Sequence, residues 1–363
     1  MRHILALTST MLLLSLGVVG TSTASLPEEP STFVGAGPVA PVARSWADAQ
    51  IKAVTTAAIL GTDPASFRAT DPLTRGELAA ALAAWGKRAA TPADPSRLVT
   101  MRELNAQLVG ALGLSEAARR IRLAVQAAGL APTGMLGTET VARLLGLRLN
   151  HPQGQDELEL LPNQPATRAE AAYSFARALK LAPGKVAWLD QLSQTFSVPE
   201  TSEWQRTVLT RALRFVGYPY VWAGTSESAQ LLWRATAPGG TVTLPGGFDC
   251  SGFVWRVYKT KPFPGAPLLG DILKGRTTYA MSAEVKKPAR IAIDKLQPGD
   301  VVFFGNKGLR STPAEVGHSG IYIGNGWFVH SSGAGVTLQP LEGWYTKTFA
   351  WGRRPLAEAG LVA

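Results

Sequence analysis

Residues 246–258 read GGFDCSGFVWRVY and contain Cys250, the single cysteine in a chain of 363 residues. Asp249 occupies a position favoured for a helix N-cap, and apolar residues follow at helical spacing, so the stretch predicts a helix that begins at Cys250. Unpaired backbone N–H groups and the helix dipole stabilise a thiolate there, whereas a buried structural cysteine gains nothing from that position. The placement favours a nucleophile over a core side chain.

Two histidines further along the chain are candidates for a base. The stretch GHSGIYIGNGWFVHSS (317–332) predicts a hairpin with its turn at 324–326. A three-residue turn or a bulge would put His318 and His330 on one face, and a strict two-residue turn would put them on opposite faces. On one face, His318 can take the thiol proton of Cys250 while His330 orients it.

Two other interpretations of these residues stay open. Both histidines could be surface residues without partners, or Cys250, His318 and His330 could hold zinc. No CxxC or HxxxH spacing supports a metal, so we expect neither a metal nor a cofactor. His151, in RLNHPQG (148–154), is interpreted as an exposed loop residue.

Four phrases in order carry a resemblance to the NlpC-type cell-wall cysteine peptidases: YPYVWAG (218–224), GGFDCSGFV (246–254), LQPGDVVFF (296–304) and GHSGIYIGNGWFVHSS (317–332). The resemblance covers 204–356 and implies an α+β, papain-like domain, with an antiparallel sheet packed on the helix that begins at the cysteine. It also implies roles. Cys250 would be the nucleophile, His318 the base and His330 the orienting residue, and Tyr220, Asp249 and Ser251 would border the substrate.

This sequence departs from that family between Gly224 and Gly247. The segment TSESAQLLWRATAPGGTVTLPG (225–246) is longer than the few residues usual there. We expect it to form a short helix and a loop beside the cleft.

A phrase recurs in the Ala/Leu-rich first half of the chain. A Thr is followed three residues later by a Glu at Thr74/Glu77, Thr100/Glu103 and Thr167/Glu170. This spacing is the capping box, and apolar residues at helical spacing follow each one. An ordinary helical bundle would account for this, but repetition of one cap favours a repeat architecture.

The stretch 46–78 resembles an S-layer homology (SLH) repeat, and 160–172 resembles the end of another. The resemblance covers 45–182, called the helical module below, and implies an all-α unit that binds an anionic wall polymer. The sequence therefore predicts a linker at 183–203, a peptidase domain at 204–356 and a tail at 357–363.

The amino terminus and the charge bear on location. Residues 1–24 combine a basic start, an apolar run and small residues before a cut, which predicts a cleaved signal peptide; an uncleaved membrane anchor is the alternative. Residues 25–44 predict a linker.

Most of the formal net charge of +10 lies in residues 201–363, with 18 Lys and Arg against 10 Asp and Glu. No basic stripe alternates with aromatics, so we expect an anionic envelope rather than nucleic acid as partner, and no membrane span after cleavage.

These patterns together predict a secreted, wall-associated cysteine endopeptidase. We expect it to cut peptidoglycan stem peptides, at the bond between γ-D-glutamate and the diamino acid that is usual in the family. The alternatives are a non-catalytic wall-binding protein, and an amidase or acyltransferase on the same fold.

Overall fold

The computed structural model describes residues 45–235, 237–259 and 263–361. The predicted signal peptide, 1–24, and the linker at 25–44 lie outside the described residues. The helical module contains α1 (Asp48–Thr56), α2 (Arg75–Ala84), α3 (Met101–Ala111), α4 (Ser115–Ala127), α5 (Leu136–Leu144) and α6 (Arg168–Leu179). No helix in the described part of the chain is both long and apolar enough to cross a membrane.

The three predicted helix starts meet in space. The Leu73 N–H donates to the Ala166 carbonyl at 2.8 Å, the Ala166 N–H to the Val99 carbonyl at 2.8 Å, and the Val99 N–H to the Leu73 carbonyl at 2.9 Å. Each of these residues directly precedes one of the recurring threonines. The three repeats thus close into a ring in which each unit pairs with the next.

Two of the three predicted capping boxes form as expected, at Thr74 and Thr100. The third is half-formed. The Thr167 hydroxyl accepts from the Glu170 N–H at 3.2 Å, but the Glu170 carboxylate does not accept from the Thr167 N–H. Glu170 is instead buried, with its Oε1 3.7 Å from Nε2 of His151.

The interpretation of His151 as an exposed loop residue is wrong. Its side chain is buried between Glu159, 3.4 Å from Nδ1, and Glu170. The ring of Trp46 packs edge-on against it, with 4.8 Å between centroids. The short local phrase around His151 contains none of these partners, which lie 8 to 105 residues away in the chain.

The stretch 183–203, predicted as a linker, is largely helical rather than extended. It contains α7 (Pro183–Thr195), which packs on α4. Arg120 of α4 pairs with Asp190 of α7 and donates to the Ser193 hydroxyl at 2.9 Å.

The C-terminal part has a five-stranded antiparallel sheet in the order β8-β7-β6-β5-β9. Its elements are α8 (Glu203–Leu213), β1 (Thr225–Ser226), β2 (Gln230–Trp233), β3 (Thr241–Leu244), β4 (Gly247–Phe248), α9 (Cys250–Lys259), α10 (Leu269–Ile272), α11 (Thr278–Ala283), β5 (Val301–Gly305), β6 (Val316–Gly324), β7 (Trp327–Ser332), β8 (Gly335–Pro340), α12 (Trp344–Thr348), β9 (Phe349–Arg353) and α13 (Pro355–Glu358). Helix α9 packs against β6 and β7, so the cysteine helix lies on the sheet as expected. The predicted tail begins inside α13.

The insertion at 225–246 is a β-hairpin, not the expected short helix and loop. Strands β2 and β3 pair antiparallel, with Gln230 opposite Leu244 and Trp233 opposite Thr241. Residues Gly239 and Gly240, in the turn, have φ of 74° and 75°, which glycine adopts without steric cost. Two glycines at this point let the chain reverse where a helix would continue.

Candidate active site

Helix α9 begins at Cys250, and Asp249 caps it as predicted. The Gly252 N–H donates to Oδ1 of Asp249 at 2.5 Å, which satisfies one of the backbone donors that the first helical turn leaves free. Phe253 and Val254 are fully buried beneath the helix. The thiol is therefore held at the first residue of a helix whose apolar face packs in the core.

The hairpin β6–β7 brings the two histidines together. Its turn is the two-residue Asn325-Gly326, and a bulge at Tyr322/Gly324 supplies the extra residue that the predicted shared face requires. Beyond the bulge His318 and His330 lie on the same face, with His318 Nε2 2.7 Å from His330 Nδ1. The expectation of an odd turn or a bulge is therefore met by the bulge.

Cys250 lies against the strand that carries His318. Its Sγ is 3.9 Å from the Gly317 carbonyl oxygen, and the Ser319 backbone N–H points at the sulfur and favours the thiolate. These two contacts are with the residues immediately before and after His318. The structure thus places Cys250, His318 and His330, which the sequence singled out, in one cluster.

The electrostatics of this cluster differ from the expectation of a thiolate at rest. Burial, followed by the Asp249 carboxylate, raises the pKa of the Cys250 thiol to about 12. Burial lowers the pKa of His318 to about 4, and burial together with His318 lowers that of His330 well below its usual range. At neutral pH the resting site therefore holds a neutral thiol and neutral imidazoles.

Tyr220 lies within electrostatic range of Cys250. Burial, followed by the charges of Cys250, Asp249 and Asp156, raises the pKa of its hydroxyl well above the usual range, so that the group remains a neutral donor. The segment that carries it, 217–224, is called the loop wall below. The hairpin β6–β7 (316–332) is called the sheet wall.

Asp249 and Ser251 are tied to a residue that sequence reasoning missed. Arg276 donates to Oδ2 of Asp249 at 3.1 Å and to the Ser251 hydroxyl at 2.8 Å, and Ser251 donates to Oδ1 of Asp249 at 2.9 Å. Arg276 also donates to the Ala223 carbonyl at 3.0 Å. Its position in KGRTTYA offered no spacing signal, since its partners lie 25 to 53 residues earlier in the chain.

Aromatic side chains that the sequence did not indicate surround the histidines. The ring of Phe304 lies 5.7 Å from that of His318, and the ring of Tyr345 lies 5.3 Å from that of His330. Burial raises the pKa of Tyr345 to about 12. These rings desolvate the imidazoles, and this is the physical origin of their lowered pKa values. Within the described ranges, no group of three or more His, Cys, Asp or Glu side chains is arranged to hold a metal ion.

Comparisons with known proteins match this domain. The NlpC/P60 family pattern matches residues 217–354. The chain is 31% identical over 140 residues to the probable peptidoglycan endopeptidase LytE of Bacillus subtilis, covering 39% of this chain and 31% of that protein. It is 28% identical over 183 residues to a gamma-D-glutamyl-L-lysine dipeptidyl-peptidase of Bacillus cereus, covering 48% and 44%.

A solved structure of an NlpC/P60 family protein from Bacillus cereus is also similar, with 26% identity, a TM-score of 0.31 and coverage of 44% of this chain and 42% of that chain. The chain thus spans less than half the length of each of these relatives. The C-terminal residues 217–354 of this chain form an NlpC/P60 domain with a papain-like fold.

Proposed function

We propose that this protein is a cysteine endopeptidase that hydrolyses the stem peptides of peptidoglycan. The observation that carries the proposal is the cluster of Cys250, at the start of α9, with the hydrogen-bonded pair His318 and His330. The relatives named above are described as acting on peptidoglycan or on a γ-D-glutamyl peptide. Those descriptions support the bond between γ-D-glutamate and the diamino acid as the scissile one.

The neutral resting site implies that the thiol gives up its proton during the reaction. His318 can accept it on Nδ1 if its Nε2–H donates to His330 Nδ1, which leaves the proton of His330 on Nε2. That Nε2 is buried and has no hydrogen-bond partner in the described structure, so His330 is held by its Nδ1 bond and by aromatic packing. The orienting role proposed for His330 follows from this arrangement.

The chemistry then takes two steps. The Cys250 sulfur attacks the scissile carbonyl carbon while its proton passes to His318. His318 returns that proton to the leaving amine nitrogen as the C–N bond breaks, which leaves a thioester. Water, deprotonated by His318, attacks the thioester carbon, releasing the new carboxylate and restoring the thiol. In this proposal, backbone N–H groups at the start of α9 and the Tyr220 hydroxyl stabilise the oxyanion.

Digestion of purified peptidoglycan tests this function. The wild-type protein should release fragments with a new amino terminus on the diamino acid, identified by mass spectrometry, and Cys250→Ala should release none. New termini at the glycan–peptide junction would mean an amidase instead. Transfer of the acyl group to an added amine would mean an acyltransferase, and binding without cleavage would mean a wall-binding protein.

We further propose that the protein is exported and that the helical module retains it on an anionic wall polymer. Support comes from the closed ring of the three helix starts and from an open groove of about 270 Å³ between α2 and α3. Apolar residues, including Leu78 and Val99, line this groove beside the Arg75–Glu103 ion pair, which has an N–O distance of 2.8 Å.

Sacculi should therefore sediment the full-length Cys250→Ala protein even at raised salt. Release of all the protein by salt would indicate a purely electrostatic association.

A further inference from the structure

The loop wall is held from outside the NlpC/P60 domain. Asn150, in the helical module, donates its side-chain N–H to the Tyr220 carbonyl at 2.9 Å. The buried guanidinium of Arg143, also in the module, donates to the Gly217 carbonyl. Two side chains of the helical module thus bind backbone carbonyls of the segment that carries Tyr220.

A third link runs through the inserted hairpin. Arg234, which directly follows β2, donates to the Trp222 carbonyl at 3.0 Å and pairs with Asp156 of the helical module at 2.5 Å. Both side chains are buried, with Arg234 7% and Asp156 2% exposed. A buried ion pair is costly to break, because the remaining charge keeps its desolvation penalty without its partner. The pair therefore fixes the hairpin, the module and the loop wall to one another.

The backbone of the loop wall needs such support. Ala223 has φ of 60°, in the left-handed region that a residue with a side chain adopts only at a steric cost. Conformations of this kind persist where the surroundings over-determine them. Here three of the four carbonyls of residues 220–223 accept side-chain hydrogen bonds: that of Tyr220 from Asn150, that of Trp222 from Arg234 and that of Ala223 from Arg276.

We propose that the helical module is part of the catalytic unit, with Asn150 and Asp156 acting as positioning residues that hold Tyr220 beside Cys250. This rests on the proposed function, in which the Tyr220 hydroxyl stabilises the oxyanion. Displacement of the Tyr220 backbone moves its hydroxyl away from the reacting carbonyl, and an error of about 1 Å in such a group can cost on the order of 100-fold in rate.

The variant Asn150→Leu tests the proposal in the full-length chain, because leucine has a similar size and no donor. On soluble muropeptides, kcat should fall about tenfold with KM changed less than twofold. Ser174→Ala is the matched control: it removes a 2.7 Å hydrogen bond to the Leu147 carbonyl inside the module and should leave kcat unchanged. Asn150→Ser replaces Asn150→Leu if the latter does not fold.

A double-mutant cycle separates positioning from a general structural effect. In a Tyr220→Phe background, Asn150→Leu should cause no further loss, since both changes remove the same contribution. An equal tenfold loss in both backgrounds would overturn the proposal, as would a wild-type rate in Asn150→Leu. Asp156→Asn should follow the same pattern with a larger loss, because it leaves the buried charge of Arg234 without a counter-charge.

A measurement without substrate keeps this test independent of the proposed function. In protein with ¹³C-labelled tyrosine, the ring signal of Tyr220, assigned by its absence in Tyr220→Phe, should shift in Asn150→Leu and stay in place in Ser174→Ala. An unmoved signal in Asn150→Leu would overturn the positioning role. If the wild type fails to cleave peptidoglycan but the signal shifts, the proposed function fails and the positioning role stands.

Discussion

The two walls of the candidate site are built in different ways. The sheet wall places His318 and His330 by the register of a single hairpin, so that the contiguous residues 318–330 determine their contact. The loop wall places Tyr220 through side chains such as Asn150 and Arg276, which lie 56 to 70 residues away in sequence. The histidine pair is fixed by local contacts, and Tyr220 is fixed by long-range contacts.

The largest effects are expected on the sheet wall. His318→Ala should lower kcat/KM at least about 1,000-fold, because in the proposed mechanism His318 takes the Cys250 proton and returns it to the leaving group. His330→Ala should cost less, about 10- to 100-fold, since it removes only the orienting contact. Steady-state rates on muropeptides measure both, with far-UV circular dichroism as the folding control. Equal losses in the two variants would contradict the separate roles of base and orienting residue.

A smaller effect is expected from Arg276, which joins α9 to the loop wall. The Asp249 charge raises the pKa of Cys250, and Arg276 offsets that charge, so Arg276→Met should raise the thiol pKa further. Alkylation of Cys250 by iodoacetamide should therefore be slower at each pH between 7 and 10, and kcat/KM should fall about tenfold.

The control for this experiment is Arg290→Met. Arg290 stacks on Trp351, 3.5 Å from the ring centroid, and belongs to the same domain without contacting the site. Its alkylation profile should match the wild type. Because burial already raises the thiol pKa, we expect slow alkylation of the wild-type protein near pH 7, the reverse of what the helix-start position alone suggests.

The smallest effect concerns acid stability. His318 and His330 have lowered pKa values in the folded state, so the unfolded chain binds protons first as the pH falls below about 6.5. The free energy of unfolding is therefore unaffected by these histidines above that pH. It falls as the pH drops toward 4, by up to about 3 kcal/mol for His318.

Urea unfolding at pH 7 and pH 4.5 measures this loss. The double variant His318→Gln/His330→Asn should lose less unfolding free energy than the wild type between the two pH values. Every Asp and Glu carboxylate of the chain is present in both proteins, so their contribution to the difference cancels. An identical loss in both proteins would show that the histidines are solvated rather than buried.

Features that are fixed by residues close in the chain could be predicted from the sequence, and features that are fixed by distant residues could not. The Asp249 cap, the start of α9 and the shared face of the histidines depend on residues close in the chain, and local pattern was sufficient for them. Arg276 and Asn150 gave no signal, because single polar residues acquire partners only when distant segments meet. The raised pKa of Cys250 was missed for a related reason: the helix start is legible in sequence, whereas burial by aromatic rings from elsewhere is not.

The ring of the three helix starts determines how many repeats the module can have. In an open solenoid, units can be added or lost at the ends, because each contacts only its neighbours. Here the first unit hydrogen-bonds to the last, through Leu73 and Ala166, so the array has no free end. A fourth unit would have to break a bond of the ring before it could join. A duplication within this gene segment would therefore not lengthen the module, and the loss of one unit would leave a gap that only another chain could fill.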